Sequence, residues 1–255
     1  MADPTLETEI VMNSGGPVAF GPIPVEEGFQ WISDALVGAR NRAVLEGWSQ
    51  HMLAHLRARL GELDVAVNDI DAWRAHLREL GHESQYVGTA VCAWDVRSLA
   101  QDWSGGERVL REAEEALVRA GEKGFRSTNA ANLAEALFEL GHLDEAERFS
   151  QLSEELGASD DVITQGAWRR VRAKVLAFRG QTEPAISLAR EAIAIFAKTD
   201  FLDEHAQAVL DLAWVLRNSG DLNAADAAVR DAVELYRQKG NLVAAARAQA
   251  LLATH

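Results

Sequence analysis

Residues 132–157 read NLAEALFELGHLDEAERFSQLSEELG, and their organisation decides the fold. Gly141 divides two helix-forming stretches, Ala134 stands seven residues before it and Ala146 five residues after it. Gly157 closes the second stretch, where glycine supplies the left-handed geometry of a helix end. Asp144 and Glu147 are spaced as a capping box for that second helix. The small residue two turns upstream of the glycine allows two antiparallel helices to approach closely, so the segment reads as one helical hairpin.

The signature returns at intervals of about 40 residues, at Gly61/Ala66, Gly180/Ala185 and Gly220/Ala225, with a degenerate copy at Gly105/Leu110. Seven residues before each glycine stand Ala54, Ser98, Ala134, Ala173 and Ala213. Self-similarity at this period predicts an all-α, right-handed solenoid of antiparallel helical hairpins. First helices are expected near 43–60, 85–101, 127–140, 163–179, 203–218 and 241–253, and second helices near 64–80, 107–120, 144–156, 183–198 and 223–238. Capping is expected three residues after each glycine, at Asp64, Asp144 and Asn223, and at Thr182 in the fourth hairpin.

Two domains are expected. Residues 1–25 carry Gly15, Gly16, Pro17, Gly21, Pro22 and Pro24, a density of breakers that predicts an extended, poorly structured tail. Residues 26–255 form the repeat domain, with 26–40 as a leading helix. The closing helix 241–253 carries Leu242, Val243, Leu251 and Leu252, too apolar for a free end, so it docks on the last hairpin or continues the array in a partner.

Composition narrows the function. A net charge of −14 over 255 residues argues against nucleic-acid binding, which needs clustered Lys and Arg. The N-terminus has no basic region followed by an apolar one, and no run of 18 apolar residues could span a bilayer, so a soluble cytoplasmic protein that does not engage membranes is expected. The lone Cys92 cannot close an intrachain disulfide. There is no phosphate loop of the G-x-x-x-x-G-K-[ST] type, no nucleophile elbow and no paired metal-binding aspartates, so no enzyme, catalytic residue or cofactor is assigned.

The repeat pattern resembles the tetratricopeptide repeat, in copies lengthened from that repeat's usual 34 residues. A closer resemblance is carried by GPIPVEEGFQWISDAL (21–36), RLGELDVA (59–66), residues 132–180 and residues 198–248. These are similar to the C-terminal repeat region of large bacterial regulators in which a class III nucleotidyl cyclase domain and an ATPase domain precede such repeats. The resemblance runs from about residue 19 to 253 and implies an interaction or regulatory module. It also implies that groove-facing side chains come from the first helices at fixed offsets before the turn glycine. Those offsets select Trp48, His51, His55 and Arg59, then Cys92 and Asp95, Thr128, Glu135 and Phe138, Arg170, Lys174 and Phe178, and Gln207, Trp214 and Arg217.

Two constellations stand out among them. His51 and His55 form an H-x-x-x-H pair that lacks the glutamate of a metalloprotease helix, and no metal is assigned to it. WRRVRAK (168–174) places Arg170 and Lys174 four residues apart, a repulsive pair unless an anion lies between them. With Arg217 they read as a clamp for an acidic group, unless they pair with neighbouring carboxylates. The expected role is a scaffold that binds a protein, a peptide or a second copy of itself in the groove, with Trp48 and Trp214 as anchors. The competing role is a sensor of a small molecule or peptide that controls a partner such as a regulator or cyclase, with residues 1–25 a candidate occupant of the groove.

Overall fold

The computed structural model describes residues 15–38 and 43–253. Helices α1 (Val25–Gly38) and α2 (Ala43–Leu60) lead into α3 (Leu63–Glu79). The second hairpin is α4 (Glu83–Gly88), α5 (Ala90–Ala100) and α6 (Trp103–Ala120), and the third is α7 (Gly124–Glu139) with α8 (Leu143–Leu156). Then follow α9 (Val162–Phe178) with α10 (Thr182–Phe196), α11 (Leu202–Asn218) with α12 (Leu222–Lys239), and α13 (Leu242–Ala250), which ends in a short 3-10 turn at Leu251–Ala253. Among the described residues there is no strand.

The hairpins form because each turn is punctuated. Gly61, Gly141, Gly180, Gly220 and Gly240 all adopt positive φ between their helices, where a side chain would be strained. The next residue, not the third, takes the N-cap position of the following helix. Asp102, Asp221 and Asn241 there accept a bond from the backbone N–H three residues on, and the expected cap Asp144 is instead solvent-exposed and paired with Arg179 at 2.8 Å. In the fourth hairpin Gln181 precedes the helix, and Thr182 is its first residue.

The second hairpin departs from the expected register by four residues. Its turn residue is Gln101, the one non-glycine with positive φ among the described residues, and Gly105 lies buried inside α6. Counting from Gln101, the position that is alanine in other hairpins holds Trp94, and the alanine five residues on is replaced by Gly106. The two changes compensate: a Cβ on Gly106 would lie 2.7 Å from the Trp94 ring. The first helix of this hairpin also breaks at Thr89. There the Tyr86 carbonyl accepts from Arg74 at 2.9 Å and from the Thr89 hydroxyl at 2.7 Å.

First helices α2, α5, α7, α9 and α11 pack side by side as an inner layer, and the second helices form the outer one. Alanines such as Ala54, Ala134, Ala173 and Ala213 are fully or almost fully buried between the layers. The array curves until its ends meet. Helix α13 docks on α12 and also on α2, burying Ala245 and Ala248 while Leu242 and Leu251 stay exposed.

Residues 15–20 are helical and belong to the packed unit, which corrects the expectation of an extended tail for that part of the N-terminus. Gly21 N–H closes a helical turn on the Pro17 carbonyl at 3.0 Å. Val18, Ala19 and Val25 are buried against Ile32, Leu53 and Leu56. Residues 1–14, the remainder of the expected tail, lie outside the described residues.

Candidate functional site

The inner side of the array borders a half-open chamber of about 1110 Å³. Its wall comes from the inner faces of the first helices, from α12 and α13, and from Gly16, Pro17, Phe20, Gly21 and Pro22 of the N-terminal segment. Trp94, Trp103, Trp214, Phe201 and Tyr236 give it aromatic surface, and Ser98, Thr128, Asn132 and Gln207 give it neutral hydrogen-bonding groups.

Nine of the residues selected from the sequence line this chamber: Arg59, Asp95, Thr128, Glu135, Arg170, Lys174, Gln207, Trp214 and Arg217. Trp48, His51 and His55 do not. Trp48 is covered by the N-terminal segment, its ring against Gly15. His51 and His55 are buried, and Phe20 stacks on His55 at 4.5 Å between ring centroids. The first hairpin's inner face is therefore a seat for residues 15–23 rather than open groove. Burial drives the His51 pKa down to about 3, and burial followed by Arg59 lowers that of His55, so both imidazoles are neutral near pH 7. No group of three or more His, Cys, Asp or Glu able to hold a metal occurs among the described residues.

Arg170 and Lys174 do not form an open clamp. Arg170 donates to Asp211 at 2.8 Å and to Glu135 at 2.9 Å. Lys174 donates to Glu139 at 3.1 Å and to Glu135 at 3.4 Å, lies 3.6 Å from Asp211, and sits 4.8 Å from the centre of the Phe138 ring. Arg217 pairs with Asp226 at 2.9 Å. The repulsion expected between Arg170 and Lys174 is relieved by carboxylates from α7 and α11, which corrects the reading of an anion site. Burial opposes both charges, yet Glu135 and Asp211 raise the pKa of each above its ordinary value. Glu135 is held below the usual carboxylate range because Arg170 and Lys174 outweigh its burial. Gln207 donates to Asp211 at 3.0 Å and accepts from the Tyr236 hydroxyl at 2.8 Å, joining α12 to the network.

A second network closes the seam. Arg59 donates to Asp95 at 2.8 Å and to Asp203 at 2.7 Å, and Asn241 donates to Asp203 at 3.2 Å. His55 Nδ1 lies 2.8 Å from the same Asp95 carboxylate. Burial pushes the Asp95 pKa up, but Arg59 and His55 bring it well below the usual range. Next to this, the buried Lys239 ammonium donates to the carbonyls of Gly21 and Ile23 at 2.7 Å and of Val18 at 3.3 Å, and burial lowers its pKa to about 8.

Several chamber residues escaped the fixed offsets. With the turn placed at Gln101, the offsets that suit the other hairpins select Val91, Asp95, Ser98 and Leu99, all of which line the wall. On α11 the wall stripe is Glu204, Gln207, Asp211 and Trp214, spaced i, i+3, i+7 and i+10. That helical period is readable from sequence once the helix is placed. Glu204 is the chemically distinctive member. Burial, reinforced by Asp95, Glu135 and Asp203, raises its pKa to about 7 against the pull of Arg170.

Comparison with known proteins gives the fold a context. Residues 206–239 match the tetratricopeptide repeat model. No curated protein sequence matches the chain. Among solved structures, the apo form of RapI superimposes with a TM-score of 0.69 at 13% identity, covering 93% of this chain and 86% of that one. BtubC (BKLC) from P. vanneervenii gives 0.58 at 16% identity over 91% and 93%. The apo form of the quorum sensor NprR from B. thuringiensis gives 0.54 at 12% identity over 90% and 70%. The chain thus has the tetratricopeptide-like fold of these proteins. No helix among the described residues is long and apolar enough to cross a membrane.

Proposed function

We propose that the protein is a non-catalytic binding module that receives a short peptide in its central chamber. The observation that carries this reading is the chamber itself. At about 1110 Å³ it lies just above the ~300–1,000 Å³ of sites that take drug-sized molecules, which is room for a short peptide. Aromatic faces beside amide and hydroxyl groups suit a ligand with both apolar side chains and backbone amides. The RapI and NprR structures share the fold, and the latter is described as a quorum sensor; a signal-receiving role for this chain is part of the proposal. The resemblance of residues 132–180 and 198–248 to the repeat region of cyclase-linked regulators supports the same regulatory role. The thiol of Cys92, whose pKa burial pushes up to about 12, suits a reducing, cytoplasmic setting.

The reading is tested by native mass spectrometry of the purified protein with a degenerate pool of capped hexapeptides. Asn132 lines the chamber from α7, and Asn132→Trp fills it. Adducts are expected with the wild type and not with the variant at equal helical content. Absence of peptide adducts, or equal adducts with the variant, overturns the proposal. Binding of metabolites from a cell extract in place of peptides would make the protein a small-molecule sensor.

A further inference from the structure

We propose that the chamber selects a ligand carrying a cationic group, a primary amine or a guanidinium, and receives that group at Glu204. The inference rests on reading the chamber as a ligand site and adds the chemistry of what it accepts.

The charges of the wall are unequal. Seven carboxylates line it, namely Asp95, Glu135, Glu139, Asp200, Asp203, Glu204 and Asp211, against the five cations Arg59, Arg170, Lys174, Arg217 and Arg247. Most of the cations are already committed. Arg59 is held by Asp95 and Asp203, Arg170 by Glu135 and Asp211, and Lys174 by Glu135, Glu139 and Asp211. Arg217 is held by Asp226, which lies outside the wall. With Arg217 paired outside the wall, the seven carboxylates face four remaining cations, Arg59, Arg170, Lys174 and Arg247.

Glu204 is where that surplus is concentrated. It stands in the first turn of α11, partly buried, on the wall of the chamber. Among the described residues no donor gives it a hydrogen bond, while Asp203 precedes it in the chain and Asp95 and Glu135 act on it as like charges. Arg170, its one favourable neighbour, already spends its two terminal nitrogens on Glu135 and Asp211. A carboxylate in such a place either takes a proton or pairs with a cation from outside the protein. One turn along the same wall stripe Gln207 is already bonded to Asp211 and Tyr236, so Glu204 is the acceptor the stripe leaves for a guanidinium or an amine.

Three capped hexapeptide pools test this, identical except that the third position is fixed as arginine, as its neutral isostere citrulline, or as glutamate. Binding is measured with the wild type, Glu204→Gln and Glu204→Asp. Glu204 loses no protein partner in these variants, so folding is expected to hold, checked by circular dichroism. The wild type and Glu204→Asp are expected to prefer the arginine pool over citrulline about tenfold, and Glu204→Gln to bind the two alike; tenfold corresponds to ~1.4 kcal/mol. Equal binding of arginine and citrulline pools by the wild type, a preference for glutamate, or a preference retained in Glu204→Gln overturns the inference and leaves the chamber a peptide site. Failure of all three pools to bind overturns the peptide reading and this one together.

Discussion

Arg59 and Asp203 stand 144 positions apart in the chain, yet the guanidinium of one meets the carboxylate of the other at 2.7 Å, both largely shielded from solvent. The contact joins the first full hairpin to the last. A linear stack of repeats touches only its neighbours, so this pair marks the point at which the stack becomes a ring.

Asp203→Ala leaves Arg59 with Asp95 alone and removes the acceptor of Asn241. Removing one partner of a buried pair typically costs ~3–5 kcal/mol, and the retained Asp95 places the loss near the lower bound. Urea unfolding measures it, and hydrogen exchange is expected to rise in α13 and in residues 15–24. The exposed pair Arg119–Glu115, 4.0 Å apart, is the control: Glu115→Ala changes stability by less than about 0.5 kcal/mol.

Lys239→Ala strips the donor from three backbone carbonyls, those of Val18, Gly21 and Ile23. Each buried acceptor left unmade costs about 1–3 kcal/mol, reduced here by whatever the segment recovers by moving. The expected signature is local: faster amide exchange at residues 18–24, and new protease cleavage there, with α7–α10 unaffected. Unchanged exchange in that segment refutes a role for Lys239 in holding it.

The pH response of Glu204 has a definite sign. Its pKa in the folded protein is about 7 against an ordinary 4.5, through burial and the facing Asp95, Glu135 and Asp203, with Arg170 opposing. The folded state therefore holds its proton longer than the unfolded chain, and stability present below pH 4.5 is lost as pH rises through 7. Glutamine mimics the protonated form, so the stability of Glu204→Gln relative to wild type should be level below pH 4.5, climb up to about pH 7 and then flatten. A flat difference across that window refutes the assignment.

Trp94 and Gly106 form a compensating pair that a double-mutant cycle can expose. Gly106→Ala drives a methyl into the indole and costs about 1–3 kcal/mol. Trp94→Ala empties a buried site and costs about 3–5 kcal/mol. The double variant restores the alanine pair found in the other hairpins, so it is expected to be less destabilised than the sum by about 0.5–3 kcal/mol.

How much of this was legible follows from what each signal encodes. Glycine turns and buried alanines are local demands of the backbone, so four of the five turn glycines sat where the repeat pattern put them. Gln101 was hidden because a glutamine can occupy the left-handed region without advertising it, and Gly105, four residues on, imitated the signature. Arg170 and Lys174 were found as a pair, but their partners Glu135 and Asp211 come from other helices, and no periodicity links residues 35 and 41 positions away. The fate of Trp48, His51 and His55 depended on residues 15–23, whose seat on α2 is a tertiary fact that their own proline-rich composition obscured.

Ring closure also fixes a number. An open solenoid can gain or lose a hairpin and remain a solenoid, since each unit asks only for the next. Here a duplicated hairpin would carry Asp203 past Arg59, and a deleted one would leave it short, leaving the buried cation with Asp95 alone in either case. The circumference is quantised, so length variation is confined to the loops between helices while the hairpin count cannot drift.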